Sequence, residues 1–169
     1  MDITDLILHD HHEQRRLFAY LDDIDRSNTT ALGAVWTRLR NLLEVHAEAE
    51  EQLFYPHLLK VGRGMHGEGP VDEVEDVIKD HNDIRDAAEE ALRQEVGSDG
   101  WWEAVAKTNK ANSDHMAEEE REDLVDFRRH ADLALRHDIA VAFAAFEASH
   151  PDGVPARDKD PDSYVKQYT

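Results

Sequence analysis

One pattern of histidines and glutamates occurs twice in this chain, in the same order and at nearly the same intervals. The first copy is Asp10-His11-His12 followed by His46-Ala47-Glu48-Ala49-Glu50-Glu51, and the second is Asp80-His81-Asn82 followed by His115-Met116-Ala117-Glu118-Glu119-Glu120. The interval from His11 to His46 is 35 residues, and from His81 to His115 it is 34. Arg15 and Arg85 also correspond, each four positions after the leading histidine. Positions four apart stack on one face of a helix, so His46 can act with Glu50, and His115 with Glu119. A repeated spacing of nitrogen and carboxylate donors implies two helical hairpins, each supplying half of a dinuclear metal site.

The apolar periodicity agrees with that constraint. Leu6, Ile7, Leu17, Phe18, Leu21 and Ile24 form a helical stripe in a first helix running to about residue 25, with Thr4 or Asp5 as its cap. Ser27-Asn28-Thr29-Thr30 is a capping break, and a second helix follows over about 31–59. Pro56 lies within its pattern and should kink the helix or end its regular part. The glycine-rich stretch 62–70 is a flexible connection. A third helix covers about 71–96, and a short turn at 97–100 leads to a fourth over about 101–129. A fifth covers about 132–149. Strand signals are nearly absent. The expected fold is all-α: an antiparallel four-helix bundle over residues 1–150 with an additional C-terminal helix packed outside it or across one end. Residues 151–169 are polar and contain Pro151, Pro155 and Pro161, and they are expected to form a mobile tail with little to bury.

A chain of 169 residues is long enough for one domain with a substantial core. Cysteine is absent, which excludes disulfides, thiolate zinc sites and ordinary iron–sulfur clusters and fits a reducing compartment. The first residues, Met1-Asp2-Ile3-Thr4-Asp5, are acidic where a signal peptide is basic. No apolar run approaches the ~18 residues of a membrane span. The expected location is the cytoplasm. The formal charge of −19 repels phosphate backbones and anionic membrane surfaces, so neither nucleic acid nor membrane is an expected partner. Most of the acidic residues are read as solvated helix faces.

The candidate ligands are therefore His11, His46, Glu50, His81, His115 and Glu119. Imidazole and carboxylate without thiolate suit iron, manganese or zinc. If both glutamates bridge, each metal receives two nitrogens and two oxygens, and open positions remain for water, oxo or a small ligand. A lone histidine on an amphipathic helix is usually a satisfied polar residue, and His9, His12, His57, His66, His130, His137 and His150 have no repeated partner. Glu51, Glu118 and Glu120 are read as helix neighbours of the ligands, since the four-residue rule selects Glu50 and Glu119. Tyr55 follows Glu50 by five and either packs in the core or turns its phenol toward the site. Arg15 and Arg85 are read as ion-pairing or bundle-packing residues, with a role behind the ligands as the alternative.

On these residues, over roughly 3–130, the chain resembles the hemerythrin-like, or HHE cation-binding, family. The resemblance rests on Asp10-His11, the segment from His46 through Leu53-Phe54-Tyr55-Pro56, Asp80-His81, and His115 to Glu120. It implies a four-helix bundle with a non-haem centre of two iron ions that meets O2, H2O2 or NO. The four histidines carry over as terminal ligands, and Glu50 and Glu119 as bridging carboxylates. Oxygen-carrying members have a second histidine where this chain has Arg85, and an Asp five residues after the last histidine where this chain has Glu120. The asymmetric five-histidine centre of the carriers is thus not reproduced, and redox chemistry or sensing is favoured over oxygen transport. Peroxide removal of the catalase type is one expectation. A metal-dependent sensor or interaction module is the alternative, with the glycine loop and the C-terminal tail as moving parts. Ferritin-like iron oxidation or storage uses Glu-x-x-His twice, and this chain has that spacing only at Glu147 to His150.

Overall fold

The computed structural model describes residues 1–169 and contains helices and no strand. In chain order these are α1 (Ile3–Asp23), α2 (Thr29–Ala49), a π-helical turn (Glu50–Phe54), α3 (Tyr55–Val61), α4 (Pro70–Leu92), α5 (Asp99–Arg121), α6 (Asp123–His130), α7 (Leu133–Ser149) and α8 (Pro161–Tyr168). Side-chain caps start most of them: Asp2 accepts from Thr4 N, Asn28 from Ala31 N, Ser98 from Trp101 N and Asp132 from Leu135 N. Each such cap stabilises its helix by about 1 kcal/mol.

The core is divided into two apolar clusters. Leu17, Leu21, Leu32, Trp36, Ile84 and Trp101 belong to one, and Ile3, Ile7, Phe54, Val74, Phe127 and Phe143 to the other. Along α1 and α4 the second cluster is met first, and along α2 and α5 the first is, so the two pairs run antiparallel. On α1 and α4 the proposed ligands lie between the two apolar stretches, and on α2 and α5 they follow the first stretch and precede the second, which continues in the π turn and α6. The polar layer is thereby sealed above and below by side chains each worth about 1.5–3 kcal/mol of burial.

Three features differ from the pattern expected of the sequence. The helix expected over 31–59 is interrupted by the π turn just before Pro56. A proline clashes with the carbonyl four residues back in a regular helix, and the widened turn relieves this by passing Tyr55 N–H to Glu50 O. The helix expected to run unbroken to Arg129 breaks at Glu122, where φ is −118° and ψ −72°. The break brings Phe127 against Phe54 with ring centroids 4.9 Å apart.

Residues 151–169, expected to have little to bury, instead return to the bundle. There α8 packs on α4, Asp160 caps it by accepting from Ser163 N, and Tyr164 and Val165 are buried in the second cluster. The expected fifth helix, α7, packs on α1 and α2. The connection at 62–69 is held by buried Asp126, which accepts from Arg63 N at 2.7 Å and Gly64 N at 3.0 Å. Gly64 has φ +74°, and a Cβ there would lie 2.0 Å from Glu68 O, so glycine is required. No helix is long and apolar enough to cross a membrane.

Candidate metal centre

α1, α2, α4 and α5 bring His11, His46, His81 and His115 to one level, and α2 and α5 add Glu50 and Glu119 from the following turn. All six are buried. One donor atom from each of His11, His46, Glu50 and Glu119 lies within 4.8 Å of the others, and the same holds for Glu50, His81 and His115. Either group could hold a cation. Glu50 belongs to both, with Oε1 2.9 Å from His46 Nε2 and Oε2 3.4 Å from His81 Nε2. Glu119 is less even: Oε2 is 3.2 Å from His11 Nε2 but 4.0 Å from His115 Nε2.

The polar atoms facing the centre fit a cation better than they fit each other. His11 Nε2, His46 Nε2, Glu50 Oε1 and Glu119 Oε2 are all buried without a hydrogen-bond partner, their close approaches lacking the alignment of a bond. His81 Nε2 and His115 Nε2 face one another at 3.3 Å. Leaving such groups unsatisfied in an apolar surround costs about 1–3 kcal/mol each, which a shared metal would offset.

Behind the histidines stands a second layer of carboxylates. Asp10 is 3.1 Å from His46 Nδ1, Glu51 2.7 Å from His81 Nδ1, and Glu120 2.8 Å from His11 Nδ1. Asp80 faces His115 Nδ1 at 3.8 Å, beyond hydrogen-bond reach. The layer follows the repeat. The acid before each leading histidine faces the closing histidine of its own hairpin. The acid after each closing glutamate faces the leading histidine of the other hairpin. A carboxylate on Nδ1 fixes the ring and turns Nε2 toward the centre, raising its strength as a donor. Arg15 and Arg85 complete the repeat: Arg15 pairs with Glu120 at 2.8 Å, and Arg85 with Glu51 at 2.9 Å and Glu44 at 3.0 Å.

Spacing along a single helix does not select Glu51 and Glu120, because they point about 100° away from Glu50 and Glu119. Their repetition in both copies was the available signal. Tyr55 does turn toward the site. In a regular helix it would sit about 140° from Glu50, but the π turn changes that rotation, and its hydroxyl donates to Glu119 Oε1 at 2.8 Å. Glu119 thus presents mainly Oε2 to the histidines. His9, His12, His57, His66, His130, His137 and His150 belong to neither donor group.

Electrostatics couple the layers. Burial alone would lower His46, but Glu50 and Asp10 hold it well above the usual imidazole range. Burial likewise opposes charging of His81, yet Glu50 and Glu51 raise it to about 9. Burial would raise Glu50, and His46 and His81 instead hold it well below the ordinary carboxylate value. Burial together with Glu119 and Glu50 pushes Tyr55 up, keeping its phenol protonated.

A cavity of about 30 Å³ reaches the centre, lined by His46, His81, His115, Arg85, Ile84 and Ala88 among others. That is room for one water-sized molecule.

An all-α bundle closing histidines and carboxylates around a cation site defines the class of protein. The model of the hemerythrin HHE cation-binding domain matches residues 2–125, and the chain belongs to that family of metal-binding helical bundles. Neither a curated protein nor a solved structure matches it.

Proposed function

We propose that the chain holds two iron ions through His11, His46, Glu50, His81, His115 and Glu119 and removes hydrogen peroxide. The observation that carries this reading is the set of buried, unpartnered donor atoms on His11, His46, Glu50 and Glu119, beside a water-sized cavity lined by His46, His81 and His115. With two iron ions bound, the centre would supply the redox couple that converts two H2O2 to two H2O and one O2. The residues of the chain provide the rest. Six protein donors for two metals leave positions free for a small ligand. The cavity is of the size of a molecule such as H2O2, O2 or NO. Arg85 occupies the position that is a histidine in the oxygen carriers, and a guanidinium has no lone pair to give a metal, so it adds no seventh donor and pairs with Glu51 and Glu44 instead. Tyr55 holds Glu119 and keeps its proton.

The test is elemental analysis of protein made with sufficient iron, followed by peroxide consumption against free iron at equal concentration. The expected results are near two iron ions per chain and faster consumption by the protein. Fewer than one iron in folded protein would overturn the centre. Two irons with no peroxide consumption would overturn the activity and leave oxygen or nitric oxide sensing as the better account.

A further inference from the structure

Most of the site obeys the repeat, and among the contacts that do not, one reaches it from the far end of the chain. Glu51 and Glu120 are equivalent positions, and each accepts from a histidine and an arginine. Glu120 stops there and is 28% exposed. Glu51 is fully buried and takes a further cation on its outer oxygen: the ammonium of Lys159, which also contacts Glu48 at 2.9 Å. Nothing equivalent approaches Glu120.

Lys159 is held deliberately in place. Its backbone N–H donates to Asn82 Oδ1 at 3.1 Å, and its carbonyl accepts from Asn82 Nδ2 at 2.8 Å. Asn82 follows His81 directly, and the corresponding residue of the first copy is the exposed His12. One turn into α8, Tyr164 donates its hydroxyl to the carbonyl of Glu51 itself at 2.6 Å. The C-terminal segment thus grips both the side chain and the backbone of one carboxylate. It lies beyond the segment matched by the family model, residues 2–125.

We propose that Lys159 is a positioning residue that makes the two halves of the metal centre inequivalent, acting through Glu51 on His81. The inference rests on the two-metal reading above. A cation on the outer oxygen of Glu51 draws its negative charge away from His81 Nδ1, so His81 is the weaker donor of the leading pair. The same cation adds positive potential to the half built from His81 and His115. Both effects favour the lower oxidation state there, so that half accepts an electron first. Arg85, Glu44 and Glu48 also face Glu51 or Lys159, but they remain in place when Lys159 is changed.

The experiment compares wild type, Lys159→Gln and Lys159→Arg, each loaded with ⁵⁷Fe and assayed first for iron content. Wild type should give two Mössbauer doublets of equal area. Lys159→Gln, which removes the charge while keeping a donor, should draw the doublets together. At a fixed potential it should also shift the oxidised-to-reduced ratio of the first electron by about tenfold toward oxidised, equivalent to 59 mV. Lys159→Arg should restore the wild-type potential. Lys159→Met serves the same purpose if the glutamine variant folds poorly. A glutamine variant holding two irons with wild-type doublets and potential would overturn the inference while leaving the centre standing. Wild type without iron would overturn both.

Discussion

Replacing Glu51 by glutamine removes one buried charge and conserves volume. Burial alone would raise its pKa, but His81, Arg85 and Lys159 hold it at about 2 against an ordinary 4.5. At about 1.4 kcal/mol per unit, the interactions of this carboxylate stabilise the fold by roughly 3 kcal/mol at neutral pH. Glutamine loses that charge, yet both cations keep another carboxylate: Arg85 retains Glu44 at 3.0 Å, and Lys159 retains Glu48 at 2.9 Å. The expected cost is therefore about 2 kcal/mol, below the roughly 3–5 kcal/mol of a buried pair broken outright. For a chain of this length that lowers Tm by about 4–8 °C. Because the folded-state pKa is depressed, the stabilisation is present above 4.5 and lost as pH falls toward 2. The assay is thermal unfolding by circular dichroism of chelator-stripped protein across pH, with Glu103→Gln on the exposed face of α5 as control. The Tm gap should be constant between the ordinary carboxylate and imidazole values of 4.5 and 6.5 and should narrow as pH falls below 4.5. A gap no larger than that of the control, or one indifferent to acid, would refute the reasoning.

Glu50→Ala and Glu119→Ala should each lose bound metal in elemental analysis, whereas His137→Ala, whose ring meets only the N-terminal residue, should keep it; equal losses in all three would undo the residue assignment. Removing metal with a chelator should lower Tm by about 8–16 °C, since a cation a thousandfold above its Kd stabilises the fold by about 4 kcal/mol, and calorimetry would read this directly. In stripped protein His81 stays protonated up to about pH 9, so metal must displace a proton and apparent affinity should rise with pH toward that value. By the same sign, the ion-pair stabilisation of His81 is full below 6.5 and lost as pH rises through about 9. Titration calorimetry in two buffers of different ionisation heat counts the protons released, and a count of zero would contradict the prediction.

The hairpins and the convergence of the six candidate side chains were legible because both rest on spacing within a helix. Ridges of apolar residues at helical period and a histidine four before a glutamate are local facts, and four antiparallel helices bring them to one level with no further information. The π turn is different. Pro56 announced a disturbance, but not whether the helix would kink, stop or widen, and only widening turns Tyr55 onto Glu119. α8 was hidden for another reason. Its attachment combines one ammonium, one hydroxyl and the backbone clamp of Asn82 with the burial of just Tyr164 and Val165, too few apolar residues to stand out in a polar segment. Asp160 followed by Pro161 is nonetheless a helix-start signal that composition alone obscured.

The repeat carries its information twice, once where the copies agree and once where they part. Agreement extends past the proposed ligands to Asp10 and Asp80, Glu51 and Glu120, and Arg15 and Arg85, because a ring nitrogen turned toward a cation needs its far side held by a carboxylate, and a buried carboxylate needs a cation in turn. Each requirement calls for the next residue, so a pattern that begins with histidines propagates outward through two more shells on neighbouring helices. The copies part at His12 and Asn82, adjacent to the leading histidines. Within the four helices Asn82 makes only a long contact, accepting from Arg85 at 3.4 Å. The larger consequence of the exchange is that Asn82 clamps Lys159 from the end of the chain with two hydrogen bonds, which adds to the difference between the two halves of a two-fold scaffold.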